Sequence, residues 1–315
     1  MRVLSDDDVH RLLPSPARCV ELARDALVGL ASGQPDVPPK PAVHLPHGAF
    51  ANAMPAAWPE RDLLGCKWIS IVPGNAARGM ATASGLMVVN DPTTGVPRCV
   101  MPAAALTAAR TAAVSGACIA ALAPDDGPVA ITGAGVQARS HLRVLAALGR
   151  TEVTVFARRA QAGQELREWA EAFAPGTEVR VVGSAKEAVE RAGVVVTALP
   201  IGLSGHELDP AWVRPDALLL PLDYATSVGA ELAASGTLAA DHLDQFAAVR
   251  DARSLPAAYP TPSVATGTLL EGGIPPGGRL TCQNLGNGLS DLVLAASVAE
   301  AAETQGAGHL VEGAA

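Results

Sequence analysis

A glycine-rich turn joins an apolar run to a helical segment in Pro128-Val-Ala-Ile-Thr132-Gly133-Ala-Gly135-Val136-Gln137-Ala138. The run before the glycines has the composition of a short buried strand of a parallel sheet. The two glycines of this GxGxxA pattern admit a tight turn and let a pyrophosphate approach the backbone at the helix N-terminus. The pattern therefore predicts a dinucleotide-binding βα unit, with an ordinary tight βα turn as the alternative.

Strands and helices alternate on the C-terminal side of this turn. A helix is expected over residues 137–148, and strands follow at residues 152–156, 179–182 and 193–198 with helices between them. A further apolar strand occupies residues 218–222. This alternation predicts an α/β fold with a Rossmann-type doubly wound parallel sheet over residues 124–285.

The preceding third of the chain predicts a smaller α+β layer. Residues 15–33 have helical spacing after a Ser-Pro start, and strand-like pieces at residues 66–72 and 84–90 precede a turn at residues 91–95. Alanine-rich segments predict helices at residues 103–122 and, near the C-terminus, at residues 289–304.

Length and composition exclude several classes of function. The 315 residues are 49% hydrophobic and 17% charged, which is typical of a globular protein. Nucleic acid is not an expected partner, because 31 acidic residues outnumber 23 basic ones and aromatic residues make up 3%. The uncharged runs are shorter than the roughly 20 residues of a membrane span, which predicts a protein without a membrane anchor. Aspartates stand where a signal peptide would have its apolar core, which predicts a cytoplasmic protein.

Disulfides and metal sites are not expected either. The five cysteines are widely spaced, contain no CxxC pair and are interpreted as reduced, mostly buried thiols. His44 and His47 lack a third ligand nearby, and Asp241, His242 and Asp244 are interpreted as a solvated turn.

The end of the second strand of the predicted parallel sheet bears on the cofactor. NAD sites usually place an acid there for the ribose 2′-hydroxyl, whereas this chain has Phe156-Ala-Arg158-Arg159. An arginine there pairs with the 2′-phosphate of NADP, so NADP(H) is the preferred cofactor and NAD(H) the second option. A solvated arginine pair is the alternative. Thr197 ends a strand at the edge expected to hold the nicotinamide, or is an ordinary strand-end threonine.

Three cations stand in mainly apolar surroundings, namely Lys40, Lys67 and Arg110. Burial of a cation costs desolvation free energy unless the charge is paired, so each is a candidate for binding a carboxylate. For each of them, a structural ion pair within the protein is the alternative.

The chain resembles the ornithine cyclodeaminase/μ-crystallin family over essentially its whole length. The matching segments are Gly65-Cys-Lys67-Trp, Pro73-Gly-Asn75, the turn at residues 91–95, Leu106-Thr107-Ala-Ala-Arg110-Thr111-Ala-Ala, the glycine pattern at residues 133–138 and Leu285-Gly286 through Asp291. The resemblance implies a nicotinamide cofactor and hydride transfer at the α-carbon of an amino acid. It also implies that residues 1–123 and 286–315 form a substrate-binding domain of a homodimer, with dinucleotide binding in residues 124–285.

Site residues are carried over from the resemblance position by position. Lys67 and Arg110 fall on the positions of the family's cations that bind the substrate carboxylate. Lys40 falls where many members have arginine; lysine keeps the positive charge but cannot make the bidentate contact of a guanidinium. Asp223 falls on the aspartate near the substrate amino group, where it orients the amine or accepts a proton; a helix cap or surface turn is the alternative. The catalytic candidates are Asp223 and Lys67. The cofactor-binding candidates are Thr111, Gly133, Gly135, Val136, Gln137, Ala138, Arg158, Arg159, Thr197 and Leu285.

Departures from the family pattern separate the candidate functions. Asn52, a substrate-binding candidate, replaces the glutamate that contacts the substrate amine in ornithine cyclodeaminases; the residues after Asp223 and Gln283-Asn284 also differ from the family. We therefore predict an NADPH-dependent reductase or dehydrogenase of an α-imino or α-amino acid, acting on a ketimine or on a keto acid plus an amine. The alternatives are an ornithine or lysine cyclodeaminase with recycled NAD and a μ-crystallin-like protein that binds NADPH and a small ligand.

Overall fold

The computed structural model describes residues 1–252, 254–272 and 277–312. Contacts divide the chain into two compact units, Met1–Arg110 with Gly286–Ala315, and Thr111–Leu285. The first division lies within a helix, whereas the boundary expected from the sequence follows that helix at residue 123.

Strands and helices are distributed along both units. The chain begins with β1 (Arg2–Val3), α1 (Asp6–Leu12), α2 (Pro16–Ser32), β2 (Ala42–His44), β3 (Phe50–Trp58), β4 (Leu63–Ile71), β5 (Ala83–Asn90), β6 (Pro97–Pro102) and α3 (Ala104–Leu122). It continues with β7 (Val129–Thr132), α4 (Val136–Ala147), β8 (Glu152–Phe156), α5 (Ala160–Phe173), β9 (Glu178–Val182), α6 (Ala185–Val189), β10 (Val194–Thr197), β11 (Leu218–Pro221), α7 (Ala230–Ala234), β12 (Thr237–Ala240), α8 (Leu243–Asp251), β13 (Val264–Ala265), α9 (Thr266–Leu270) and β14 (Leu280–Gln283). It ends with α10 (Gly288–Gln305) and β15 (His309–Leu310).

The second unit contains a parallel sheet in the order β13-β12-β14-β11-β10-β7-β8-β9. Every residue of β7, β10, β11 and β14 is buried, because residues of α3, α4 and α5 pack in one hydrophobic core and residues of α6, α7 and α8 in another. Helices on both faces explain the continuous apolar composition of these strands. The predicted α/β fold with a doubly wound parallel sheet is confirmed.

The strand order reverses at β7, which lies between β8 and β10. Thr132 at the end of β7 is in register with Phe156 on one side and Thr197 on the other, and Thr197 is in register with Pro221. The carboxyl ends of four strands therefore meet at one edge of the sheet, where doubly wound folds bind their ligands.

The first unit is built on a seven-stranded sheet in the order β15-β1-β6-β5-β4-β3-β2, antiparallel except for the β1–β6 pair. Helix α10 contacts β3, β4 and β5 as well as α2. In β4, Lys67 is buried whereas the next residue, Trp68, is 47% exposed. Because side chains alternate across a strand, Lys67 belongs to the covered face of this sheet.

Strand β3, which lies between β4 and the edge strand β2, is missing from the elements that the sequence predicts. It contains four alanines and Pro55, which are poor strand formers. Pairing with β4 along all nine residues nevertheless stabilises it. Pro55 lies beyond Phe50–Asn52, the part of β3 that pairs with β2, where a missing N–H group is tolerated.

Helix α3 is, among the described helices, the one long and apolar enough to cross a membrane. In this structure, 61% of its most apolar window is buried. A buried core helix of a soluble protein has the same length and composition, so these two properties alone do not indicate a membrane span.

Candidate active site

A buried ion cluster occupies the first unit. Lys67 is 1% exposed, and its Nζ donates a hydrogen bond of 2.6 Å to Oδ2 of Asp291. Nε of Arg110 donates to Oδ1 of the same carboxylate at 2.9 Å, and Asp291 is 0% exposed. One carboxylate in the first turn of α10 therefore joins two cations from β4 and α3. Sequence reasoning did not include Asp291 among the site residues, although this aspartate ends the last family-like segment.

Lys40 adds a third cation to this cluster. Its Nζ donates to the carbonyl oxygen of Gly286 at 3.5 Å. A Cβ at position 286 would lie 2.7 Å from Nη1 of Arg110, so the glycine admits the guanidinium beside it. Three cations thus gather near one buried carboxylate, and the surplus positive charge suits the binding of an anion.

The protonation of Lys67 is sensitive to this environment. Burial is the main cause that lowers the pKa of Lys67 from 10.5 to about 7, and the nearby charges of Arg110 and Lys40 lower it further. The Asp291 carboxylate acts in the opposite direction. Lys67 is therefore able to gain or lose a proton close to neutral pH.

Asn52 lies on the same covered face of the sheet. It is 9% exposed and stands two residues from Met54, which is the register partner of Lys67. Residues two apart on a strand share a face. A neutral amide therefore faces the same side of the sheet as Lys67.

The two glycines of the turn in the second unit, Gly133 and Gly135, differ in the space around them. Gly133 has φ +118°, and a Cβ there would lie 2.5 Å from the carbonyl oxygen of Ala198. Gly135 is the N-cap of α4, with no side-chain cap and no atom within 4 Å of where a Cβ would stand. Val136 is 67% exposed and Ala138 is fully buried. Open space at an uncapped helix N-terminus fits the pyrophosphate of a dinucleotide.

A buried histidine contacts the first turn of this helix. His141 Nδ1 lies 2.7 Å from the carbonyl oxygen of Gln137, and Nε2 lies 2.9 Å from Oγ of Ser115. Burial lowers the pKa of His141 to about 4, so its ring is neutral. Since a carbonyl only accepts, Nδ1 donates to Gln137 and Nε2 accepts from Ser115. The ring thereby links α3 to the turn of α4 that carries the glycine pattern.

Two arginines follow the end of β8. Arg158 and Arg159 are both exposed, and no acid stands between them and Phe156. Within the part of the chain that the structure describes, neither guanidinium group makes a hydrogen bond or an ion pair. Their guanidinium groups are therefore available to a phosphate, which fits the 2′-phosphate of NADP.

Asp223 lies just past β11 and is fully buried. Its Oδ1 accepts a 2.7 Å hydrogen bond from Oγ1 of Thr197, and its Oδ2 accepts from Oγ of Ser227 at 2.7 Å and from the amide of Leu199 at 3.2 Å. Burial raises the pKa of Asp223, while these donors lower it. Asp223 is therefore a buried carboxylate with three donors, and the hydroxyl of Thr197 is engaged by it.

Gln283 and Asn284, which differ from the family pattern, are buried and half-buried in the second unit. Tyr259 Oη donates to Oε1 of Gln283 at 2.7 Å, and Gln283 Nε2 donates to the carbonyl oxygen of Pro221 at 3.4 Å. Asn284 Oδ1 accepts from Oγ1 of Thr266 at 2.9 Å. Sequence reasoning noted these replacements but did not connect them with the carboxyl ends of β11 and β14.

One prediction about the second unit is wrong. Asp241 is 2% exposed rather than part of a solvated turn, and its Oδ1 accepts from the amide of Leu285 at 3.0 Å. It follows the four-residue strand β12, which the sequence did not reveal. Leu285 is itself 7% exposed, and Thr111 is half-buried in α3.

Metal ligands do not cluster among the residues that the structure describes. All five cysteines are free and four of them are buried. Over residues 1–252, 254–272 and 277–312, no three His, Cys, Asp or Glu side chains group as metal ligands. His44 and His47 are both exposed.

The chain is similar to several known proteins. The family model for the ornithine cyclodeaminase/mu-crystallin family matches residues 2–245. The nodulation efficiency protein NfeD of Rhizobium meliloti is 30% identical over 99% of this chain and 98% of its own, and the ketimine reductase mu-crystallin of Rattus norvegicus is 33% identical over 68% of each chain. The structure of Thermococcus litoralis Delta(1)-pyrroline-2-carboxylate reductase with NADH and L-proline has a TM-score of 0.85 and 22% identity, covering 99% of this chain and 100% of that one. The chain therefore belongs to the ornithine cyclodeaminase/mu-crystallin family.

Proposed function

We propose that this protein is a reductase of α-imino acids that uses NADPH as its preferred reductant. The substrate is a cyclic ketimine or the open-chain imine of a keto acid and an amine. The observation that carries the proposal is the surplus of positive charge where Lys40, Lys67 and Arg110 gather near Asp291. A 33% identical relative named as a ketimine reductase supports the reaction class.

The substrate carboxylate is bound by the cation cluster. Nε of Arg110 donates a hydrogen bond to Asp291. The Nη1 and Nη2 groups beside Gly286 are left for a bidentate contact with the ligand. Lys67 adds positive charge at and below neutral pH, because its pKa is about 7. Fixing the carboxylate orients the α-carbon of the imine for reduction.

The nicotinamide, when bound, supplies the hydride. The imine carbon gains that hydride and the nitrogen gains one proton, so that C=N becomes CH–NH. We assign the proton to Asp223, whose raised pKa favours its acid form relative to an exposed aspartate. We route this proton through the hydroxyl of Thr197 or Ser227, both of which lie 2.7 Å from Asp223 and are as buried as it is.

The cofactor is held by the second unit. Gly133, Gly135 and the first turn of α4 receive the pyrophosphate, and Arg158 and Arg159 bind the 2′-phosphate. The exposed, unpaired guanidinium groups in the described part of the chain support NADPH, and NADH is the second cofactor to compare.

We also propose a homodimer in the cytoplasm. Trp68 and Leu86 are register partners on the sheet face opposite Lys67 and are 47% and 50% exposed, which suits coverage by a second copy. Five free cysteines fit a reducing compartment. Sedimentation equilibrium of the protein and of its Trp68→Glu variant tests the dimer; a wild-type monomer refutes it.

The deciding experiment follows absorbance of the reduced nicotinamide with NADPH or NADH. The substrates are Δ1-pyrroline-2-carboxylate, Δ1-piperideine-2-carboxylate and keto acids mixed with amines. We expect NADPH to be oxidised only when an imino acid is present. Lys67→Met strongly raises the KM for the imino acid, and Lys186→Met, which changes an exposed lysine of α6, is the matched control.

Other outcomes would indicate the alternative functions. Ammonia release from ornithine or lysine without net cofactor consumption would identify a cyclodeaminase. In that case Asn52→Glu would raise activity on diamino acids strongly, whereas a reductase shows no such gain. Binding of NADPH and a small carboxylate without turnover of any substrate would indicate a ligand-binding protein.

A further inference from the structure

We propose that Asp291 is a positioning residue of the cation cluster, whose single buried carboxylate fixes the place of Lys67 and Arg110 and favours the charged form of Lys67. Nothing in the resemblance gave this aspartate a role. The inference rests on the proposed function in one respect, since it takes the two cations to be the groups that bind the substrate carboxylate.

The first argument is the bridging geometry. The two oxygens of Asp291 are divided between two cations, Oδ2 with Lys67 at 2.6 Å and Oδ1 with Arg110 at 2.9 Å. These three residues come from β4, α3 and α10, so the carboxylate ties three elements together. Both distances are those of charge-assisted hydrogen bonds.

The second argument is orientation of the guanidinium. Contact through Nε turns one edge of Arg110 towards Asp291, while Nη1 and Nη2 lie beside Gly286. A planar guanidinium held along one edge presents its remaining donors in a fixed direction. Without Asp291, the guanidinium has no partner within the described residues that selects this orientation.

The third argument is the charge of Lys67. The charged groups that act on it are Asp291 from α10, Arg110 from α3 and Lys40 from the segment before β2. Burial and both cations lower the pKa of Lys67, and Asp291 raises it. If this carboxylate were neutral, the pKa of an amine with 1% exposure would fall further below its usual value.

A purely structural role is the competing explanation. Asp291 lies in the first turn of α10, where any carboxylate is favoured by the helix dipole. A structural role predicts lower stability on substitution but no pH-dependent change in the KM for the imino acid. The test therefore reads both the titration of Lys67 and the pH dependence of KM.

The chain contains three lysines, Lys40, Lys67 and Lys186, so its lysine NMR spectrum is simple. Protein labelled with 13C at the lysine ε-carbon is titrated without substrate or cofactor, and signals are assigned by single Lys→Arg variants. We expect the Lys67 signal to move with a midpoint of about 7 in the wild type. In Asp291→Asn the midpoint falls by about one pH unit or more.

Steady-state kinetics give the second readout. In Asp291→Asn, Lys67 loses its proton at a lower pH than in the wild type. The factor by which this substitution raises the KM for the imino acid therefore grows about tenfold between pH 5 and pH 8. When Lys67→Met is compared with Lys67→Met/Asp291→Asn, the increase in KM caused by Asp291→Asn no longer depends on pH. A defect that is constant with pH, together with an unshifted Lys67 midpoint, would overturn the assignment.

If Asp291→Asn does not fold, the Asp291→Glu variant provides the test. It retains the charge and moves it by one methylene, so the Lys67 midpoint stays near the wild-type value while KM rises because Arg110 is displaced. An unchanged KM or a midpoint that falls would contradict the proposal. A wild-type protein that reduces no imino acid would refute the proposed function alone, since the lysine titration needs no turnover.

Discussion

A Cβ atom at residue 286 would stand 2.7 Å from Nη1 and 3.0 Å from Nη2 of Arg110, so Gly286 leaves the space that the guanidinium occupies. The carbonyl oxygen of Gly286 accepts a hydrogen bond from Lys40. The residue at which the chain re-enters the first unit therefore shapes the cation cluster without contributing a side chain.

Gly286→Ala is expected to weaken substrate binding. Gly286 and Gly306 have φ +84° and +64°, so alanine at either position costs about 1 kcal/mol of stability. A Cβ at residue 306 meets no atom within 4 Å, which makes Gly306→Ala the matched control. KM for the imino acid should rise on the order of tenfold or more in Gly286→Ala alone. Equal KM values in the two variants would mean that Arg110 does not bind the substrate.

The double variant Arg158→Ala/Arg159→Ala is expected to lose its preference for NADPH. Removing charge-assisted contacts to the 2′-phosphate should raise the Kd of NADPH by roughly tenfold or more and leave that of NADH nearly unchanged. Fluorescence titration of the reduced cofactors measures both constants. Arg180→Ala, which removes an exposed arginine paired with Glu187 at 3.5 Å, serves as the control. Parallel changes for the two cofactors would refute the phosphate contact.

The two glycines of the turn should separate folding from cofactor binding. Gly133→Ala strains a backbone at φ +118° and forces a methyl against the Ala198 carbonyl oxygen, so the free energy of unfolding should fall by about 1–3 kcal/mol. Gly135→Ala places its methyl in open space, so the protein should stay folded but bind NADPH more weakly. Urea unfolding and cofactor titration on both variants check this. Unimpaired cofactor binding by Gly135→Ala would argue for an ordinary βα turn.

Asp223→Asn is expected to slow catalysis without weakening cofactor binding. Asparagine keeps the shape of the side chain but cannot deliver the proton that reaches Thr197 or Ser227. The value of kcat should fall by roughly 100-fold or more, while the Kd of NADPH stays within a factor of two or so. A wild-type rate in this variant would remove Asp223 from the mechanism and leave it a structural acceptor.

Acid should destabilise the protein through His141. Its pKa is about 4 in the folded state and about 6.5 when unfolded, so the unfolded state binds more protons between these values. The stability due to the neutral ring is complete above pH 6.5 and is lost as pH falls towards 4, amounting to about 3 kcal/mol. Urea unfolding at pH 7.5 and pH 4.5 should show a smaller difference in His141→Gln than in the wild type. The exposed His309→Gln is the control, and identical pH dependence in both variants would contradict the prediction.

Much of the second unit was predictable because its signals are local. Continuous apolar runs, glycines at a tight turn and helical spacing each act within about ten residues, and they indicated β7, α4 and β8 to within a residue or two. Strands β3 and β12 were missed because alanine-rich segments carry little strand propensity, and pairing with their neighbours stabilises them instead. The burial of Asp241 was missed for the same reason.

By itself, the sequence determined the parallel-sheet fold, the glycine turn, the missing acid after β8 and the neutral Asn52, since each depends on residue type and neighbours along the chain. Only the tertiary structure decided that Lys67 and Arg110 share one carboxylate. Asp291 lies 224 residues from Lys67 and 181 from Arg110, and no local pattern pairs residues at such separations. The pairing follows from the packing of α10 on β4, because a buried cation is stable only where the fold brings an opposite charge to it.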